Sequence, residues 1–156
     1  MTSWRDFETA EPDWADTVRR RLTAHRHALL ATLRPDGAPR LSGVEVQFAL
    51  GELWMGMMGG SLKALDLHRD PRFALHSAPD SPDITDGDAK LGGVASEVHD
   101  ESTIESWAAT LDQDPPPPFH LFRVDIGEVS LLRAAGDHLV IEWWRPDRGR
   151  HRIERR

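Results

Sequence analysis

The chain has no cysteine, which excludes disulfides, thiolate metal sites and thiol catalysis. It also lacks tyrosine and asparagine, and of its 19 lysines and arginines only Lys63 and Lys90 are lysines. With plentiful Ala, Gly and Pro, this reads as GC-rich coding bias, and it draws attention to where the two lysines stand. Long apolar runs are missing as well. The longest are a few residues, far short of the ~20 that cross a bilayer as a helix, so no membrane partner is expected. No basic start leads into an apolar stretch, so no signal peptide is expected and a cytoplasmic location is the plain expectation. Positive charge is short too: the formal net charge of −7 argues against a nucleic-acid partner, which needs a basic face to release counterions.

What is present suits one soluble globular domain over residues 1–156, with 39% apolar and 29% charged residues of mixed sign. A domain of this size buries roughly 70% of the surface its unfolded chain exposes, so it needs no covalent staples. Residues 1–11 carry no clear period and read as an N-terminal arm over the surface. From Pro12 the pattern turns helical, with Trp14, Val18 and Leu22 forming one stripe. Asp13 and Asp16 stand near the positive end of its dipole, and Arg19, Arg20 and Arg21 near the negative end. That helix is expected to end near His25.

Short strands follow: 28–33, ending at the Pro35-Asp36-Gly37 turn, then 41–50, with Val44, Val46 and Phe48 on one face, then 53–58. A helix is expected over 61–69, strands over 72–77 and 90–99, and a helix over 101–111. The prolines at 115–118 make a stiff connector. A final hairpin spans 119–132 and 138–144 around Ala135-Gly136-Asp137. The expected fold is mainly β with α: a six- to seven-stranded antiparallel barrel with short helices. Residues 145–156 form an arginine-rich C-terminal segment, read either as a solvated edge strand or tail or as an anion site.

The strongest local signal for chemistry is Gly59-Gly60-Ser61-Leu62-Lys63, where a strand ends and a helix begins. Glycines let backbone N–H groups turn toward an anion, the helix N-terminus adds a positive dipole, and Ser61 and Lys63 add donors. An ordinary Ser N-cap after a Gly turn would look the same. No Walker loop, dinucleotide fingerprint, nucleophile elbow or Ser-x-x-Lys pattern occurs. Histidines are scattered. His25 and His27 face one side of a strand, but no His-Glu-x-x-His exists, and a surface or capping role is expected for them. His68, His76, His99 and His120 read as single residues, His120 being one that could ligate haem, and no metal ligand set is expected. Near the C-terminus, Ile141-Glu142-Trp143-Trp144 with Arg150 and Arg152 could clamp a flat anionic molecule.

In order, 31–39 (Ala-Thr-Leu-Arg-Pro-Asp-Gly-Ala-Pro), Leu53-Trp54-Met55-Gly56, Gly60-Ser61-Leu62-Lys63-Ala64 and Arg69-Asp70-Pro71-Arg72 resemble the pyridoxamine 5′-phosphate oxidase-like superfamily of FMN-binding split barrels. Gly87-Asp88-Ala89-Lys90 with the glycines that follow resembles a small actinobacterial branch of it. The resemblance implies a split β-barrel homodimer with cofactor at the subunit interface, and a flavin-dependent oxidoreductase acting on a small molecule. F420 is the alternative cofactor, and a non-catalytic flavin- or haem-binding protein the alternative from another class. It further implies that Gly60, Ser61 and Lys63 hold the phosphate, with Arg40, Ser42, Val44, Met57 and Met58 beside the ring system. Ile141 to Trp144 is similar to the oxidase's C-terminal Ile-Glu-Phe-Trp, which brings Trp144 and Arg150 to the cofactor from the second subunit. Leu62 stands where the family has an arginine, so one bidentate donor is gone. No catalytic acid or base is assigned.

Overall fold

The computed structural model describes residues 1–156. Its elements run α1 (Trp4–Ala10), α2 (Pro12–Leu22), β1 (Ala28–Leu33), β2 (Pro39–Ala49), β3 (Glu52–Met58) and α3 (Leu62–Arg69). They continue with β4 (Arg72–His76), β5 (Asp88–Glu97), α4 (Glu101–Ala108), β6 (Phe119–Ala135), β7 (His138–Arg145) and β8 (Gly149–Arg155). The eight strands form one sheet in the order β3-β2-β1-β4-β5-β6-β7-β8, and a further β3–β6 pairing closes the first six into a ring. Every pairing is antiparallel. This is the split barrel in its antiparallel form, with β7 and β8 continuing the sheet outside the ring.

The 17-residue β6 makes closure work. Its start pairs with β3, its middle with β5 and its end with β7. Serving three partners requires the strand to bend, and the register slips between Gly92 and Gly93 opposite Glu128 and Ile126. A side chain at Gly93 would overlap the Asp125 carbonyl oxygen, so the bulge tolerates only glycine there.

Residues 1–11 are not a loose arm. Ser3 and Asp6 form a capping box, and Trp4 and Phe7 are buried at 1% and 0% exposure. Trp4 meets Phe48 edge-on at 4.4 Å, and Phe7 meets Trp14 at 5.6 Å and Trp144 at 4.9 Å. A two-turn helix is too short to show a period, so its aromatics, each removing roughly 150–250 Å² from water, carry it through tertiary packing. The arginine-rich segment is the edge strand β8, an eighth strand beyond the six or seven expected. Its register pairs Trp144 with Arg150 and Trp143 with His151. Helix α2 stops at Leu22, short of His25, and α4 stops at Ala108 rather than residue 111.

Helix α3 is tied to the barrel by Asp66, which is 2% exposed. Its carboxylate accepts from Thr32 Oγ1 at 2.8 Å, Arg40 Nε at 2.7 Å and Arg69 at 3.0 Å. Burial pushes this carboxyl up, but the hydrogen bonds from Arg40, Thr32 and Arg69 outweigh it and bring the pKa from 3.8 down to about 2. A depressed folded-state pKa stabilises the fold above the unfolded value, and that contribution fades as pH falls from about 4 toward 2. Denaturant unfolding of the parent as a function of pH should therefore lose stability across that window. Asp66→Asn should be weaker at neutral pH by roughly 3 kcal/mol, because Arg40 loses its partner, and should show a flatter acid limb. An equally steep acid limb in the variant would remove Asp66 as its source.

Candidate functional site

The turn after β3 leads directly into α3, and its own backbone groups are largely committed. Gly59 N–H donates to the Pro118 carbonyl at 2.9 Å, and Ser61 N–H donates to the Met58 carbonyl at 3.2 Å. Gly60 N–H donates to His120 Nε2 at 3.0 Å. Gly60 adopts φ +72°, a left-handed conformation that favours glycine, with open space where a side chain would stand. The proline connector thus packs onto the turn; a Cβ at Gly59 would come within 2.6 Å of the Pro118 ring.

One residue further on, the donors are free. Ser61 has the extended conformation of an N-cap, yet its side chain makes no capping bond. Its Oγ is buried with no hydrogen-bond partner. The N–H groups of Leu62 and Lys63 likewise have no acceptor within the chain. A buried hydroxyl without a partner is costly and uncommon. Three unpaired donors at the positive end of a helix form an anion-binding arrangement. The Lys63 ammonium makes no ion pair and borders the cavity described next.

That cavity, of about 560 Å³, lies on the outer face of β2 and β3 under the segment 111–116. Val44, Met57, Met58 and Lys63, all named from the sequence, line it together with His27 and Trp107. Its volume falls in the range of small-molecule and cofactor sites. A second depression of about 270 Å³ lies between Leu29, Leu41, His76 and Lys90, so the other lysine also faces a concavity.

The remaining candidates stand elsewhere. Ser42 is half-buried on β2 opposite Leu30 and lines neither cavity. Arg40 holds Asp66 and so anchors α3. Trp144 is 5% exposed and packs in the core against Phe7. Arg150 binds the buried Glu142 carboxylate at 2.5 Å and Glu11 at 3.4 Å, and its guanidinium lies 4.9 Å from the Trp14 ring. Within one chain, Trp144 therefore fastens β7 to α1, Arg150 fastens β8 to α2, and neither residue borders either cavity.

Beside the turn the structure also assembles a group that sequence reading treated as separate residues. His68 at the end of α3, Glu97 at the end of β5 and His120 at the start of β6 meet through their polar atoms. Glu97 bonds His120 Nδ1 at 2.6 Å and also His68 Nε2. Burial pushes the Glu97 carboxyl up, and the hydrogen bonds from His120 and His68 bring it below its ordinary value. Nothing in the spacing of residues 68, 97 and 120 signals this, because barrel closure alone brings them together. His27, expected in a surface or capping role, and Trp107 of α4 line the cavity wall, a placement that tertiary packing decides in the same way.

The sequence profile described as pyridoxamine 5′-phosphate oxidase matches residues 15–133. No curated protein matches the chain. Among solved structures, PhzG from Burkholderia lata, in complex with tetrahydrophenazine-1-carboxylic acid, aligns with TM-score 0.67 at 14% identity, over 100% of this chain and 97% of that one. A pyridoxamine 5′-phosphate oxidase-related, FMN-binding protein from Nostoc punctiforme aligns with TM-score 0.63 at 15% identity, over 94% and 96%. A heme-binding protein from Mycobacterium smegmatis aligns with TM-score 0.58 at 13% identity, over 88% and 86%. At these identities the likeness is one of fold. With three-quarters of its length inside the profile and the barrel closed as described, the chain belongs to the pyridoxamine 5′-phosphate oxidase family.

Proposed function

We propose that this protein binds FMN and acts as an oxidoreductase on a small molecule. The observation that carries this reading is the buried, unpartnered Ser61 Oγ at the start of α3, next to the unpaired N–H groups of Leu62 and Lys63. These donors and the Lys63 ammonium suit a phosphate group. Lys63 and Met58 stand on the cavity wall, while Val44 and Met57, at 2% and 4% exposure, turn into the barrel core and leave the strand backbone of β2 and β3 as the floor beneath a ring system. Bound FMN would supply the hydride chemistry, leaving this chain to anchor, orient and exclude water. No acid or base on the cavity wall is required for that division of labour.

The missing arginine shapes how the chain would hold the phosphate. Leu62 offers only its N–H, its side chain being 58% exposed. Anchoring then rests on Lys63, Ser61 and backbone, a weaker set than a bidentate guanidinium. Met58, Leu62 and Leu65 are exposed at 81, 58 and 47% at and after the turn. In this reading a second copy of the chain covers them and shuts the cofactor in at a homodimer interface. Light scattering should then give a dimer mass for the parent and a monomer with weakened FMN affinity for Met58→Asp. A parent that binds FMN as a monomer would refute the interface.

Flavin fluorescence quenching tests the anchor. Lys63→Ala should weaken FMN binding by about 10- to 100-fold, since a hydrogen bond to a charged group is worth roughly 1.5–3 kcal/mol, and Leu62→Arg should strengthen it. Unchanged affinity in Lys63→Ala overturns the anchor. Uptake of F420 in place of FMN, or a Soret band with haem, would assign the cavity to those cofactors instead.

Ser61→Ala separates a ligand site from an ordinary cap. Replacing a working Ser cap costs about 1 kcal/mol. Here the hydroxyl caps nothing and its burial without a partner is costly, so ligand-free stability should equal or exceed the parent's while FMN affinity falls. A Tm loss typical of a broken cap, with FMN affinity unchanged, would make Ser61 a cap only.

A further inference from the structure

Beside the turn before α3, three side chains converge whose polar atoms all lie within 4.8 Å of one another: His68 Nε2, Glu97 carboxylate oxygens and His120 Nδ1. They come from three elements, α3, β5 and β6, so the grouping is a product of the fold and not of helix spacing. The His68 and His120 rings lie 5.4 Å apart at 77°, and Phe122 stands behind both, at 5.7 Å and 6.4 Å. An apolar ring at the back and two nitrogens turned onto one carboxylate form a directed donor set. Glu97 and His120 are 12% and 20% exposed in their side chains, while His68 at 39% leaves a way in from solvent. His99, 80% exposed, places its Nε2 3.6 Å from Glu97 and offers a fourth nitrogen. No lysine or arginine pairs with Glu97; its partners are imidazoles only.

We propose that His68, Glu97 and His120 form a binding site for a divalent transition metal, with Zn²⁺ the ion best suited to the donors. Two imidazoles and one carboxylate match the ligand types that zinc takes, and three protein ligands leave a position for water or His99. The metal takes the place now held by the two N–H groups that donate to Glu97, and the donors separate slightly to admit it at about 2.0–2.2 Å.

The binding has a chemical consequence for the neighbouring turn. Gly60 N–H now donates to His120 Nε2, which therefore carries a lone pair, and the ring proton sits on Nδ1 toward Glu97. A metal on Nδ1 moves that proton to Nε2. Two N–H groups then face each other, and Gly60 must let go of His120. Metal loading thereby frees a backbone donor at the turn, next to Ser61. Metal occupancy and anion binding at α3 are coupled, and by linkage each strengthens the other.

The untagged full-length chain, stripped with a chelator and free of flavin, provides the test. Titration with CoCl₂ should produce the visible d–d bands of low-coordinate Co²⁺ at one equivalent per chain, and ZnCl₂ should abolish them. Glu97→Gln and His120→Ala should lose binding by more than the roughly 10–100-fold that a lost outer-shell partner costs. His68→Ala, on an exposed helix face, should lose it too while keeping the far-UV CD and Tm of the parent. His25→Ala and His27→Ala, away from the cluster, should bind as the parent does. Adding inorganic phosphate should raise the affinity for Zn²⁺ in the parent. Absence of Co²⁺ bands in the parent, or binding that survives His68→Ala and His120→Ala intact, overturns the site. Because no flavin is present, neither outcome depends on whether FMN occupies the cavity.

Discussion

Closing a sheet into a ring leaves no backbone donor or acceptor unpaired around the circuit, and in this protein the closure rests on β6. That strand pairs with β3 at its start, β5 through its middle and β7 at its end. The bend this demands falls at Gly127, the extra residue of β6 between the partners of Gly92 and Gly93, and a side chain at Gly93 on the facing strand would run into the Asp125 carbonyl. The rest follows from that geometry. Pairing Met57 with His120 and Met58 with Phe119 sets the end of β3 beside the start of β6. The turn after β3 is thereby held against the proline connector, and His120 is put within reach of Gly60.

The start of α3 is consequently a place of incomplete hydrogen bonding surrounded by complete hydrogen bonding. Gly59, Gly60 and Ser61 have committed their N–H groups, which makes the turn rigid. Asp66 fastens the next turn of helix to β1 and β2 through Thr32 and Arg40. Between those two fixed points stand Ser61 Oγ and the N–H groups of Leu62 and Lys63, all unpaired. A rigid scaffold that leaves a few donors unsatisfied at a helix start is preorganised for an anion, with little ordering left to do on binding.

Several elements were legible because their signals are local. Strand 28–33 appears with its bounds as read, since an apolar run closed by Pro-Asp-Gly admits few alternatives. The helix after the Gly-Gly turn and the hairpin at 135–138 follow from turn chemistry in the same way. Residues 1–11 carry no legible period because Trp4 and Phe7 make one helical repeat too few; only the aromatic partners Phe48, Trp14 and Trp144 explain their burial. The arginines of β8 look alike in sequence, yet Arg150 holds a buried carboxylate while Arg155 is solvated.

By itself, then, the sequence determined the family, the antiparallel barrel and the position of the phosphate-type turn, because strand alternation, turn residues and helix starts are encoded within a few neighbours. Tertiary structure decided what each of those residues does. Arg40 has the chemistry of a cofactor ligand, but Asp66 sits where it must be neutralised. Trp144 has the chemistry of a stacking platform, but Phe7 buries it. Ser61 has the chemistry of a cap, but its hydroxyl is left unpaired. His68, Glu97 and His120 carry no motif and become a cluster only when α3, β5 and β6 converge. Partners drawn from distant parts of the chain settle such roles, because hydrogen bonding and burial depend on distance in space and not along the sequence.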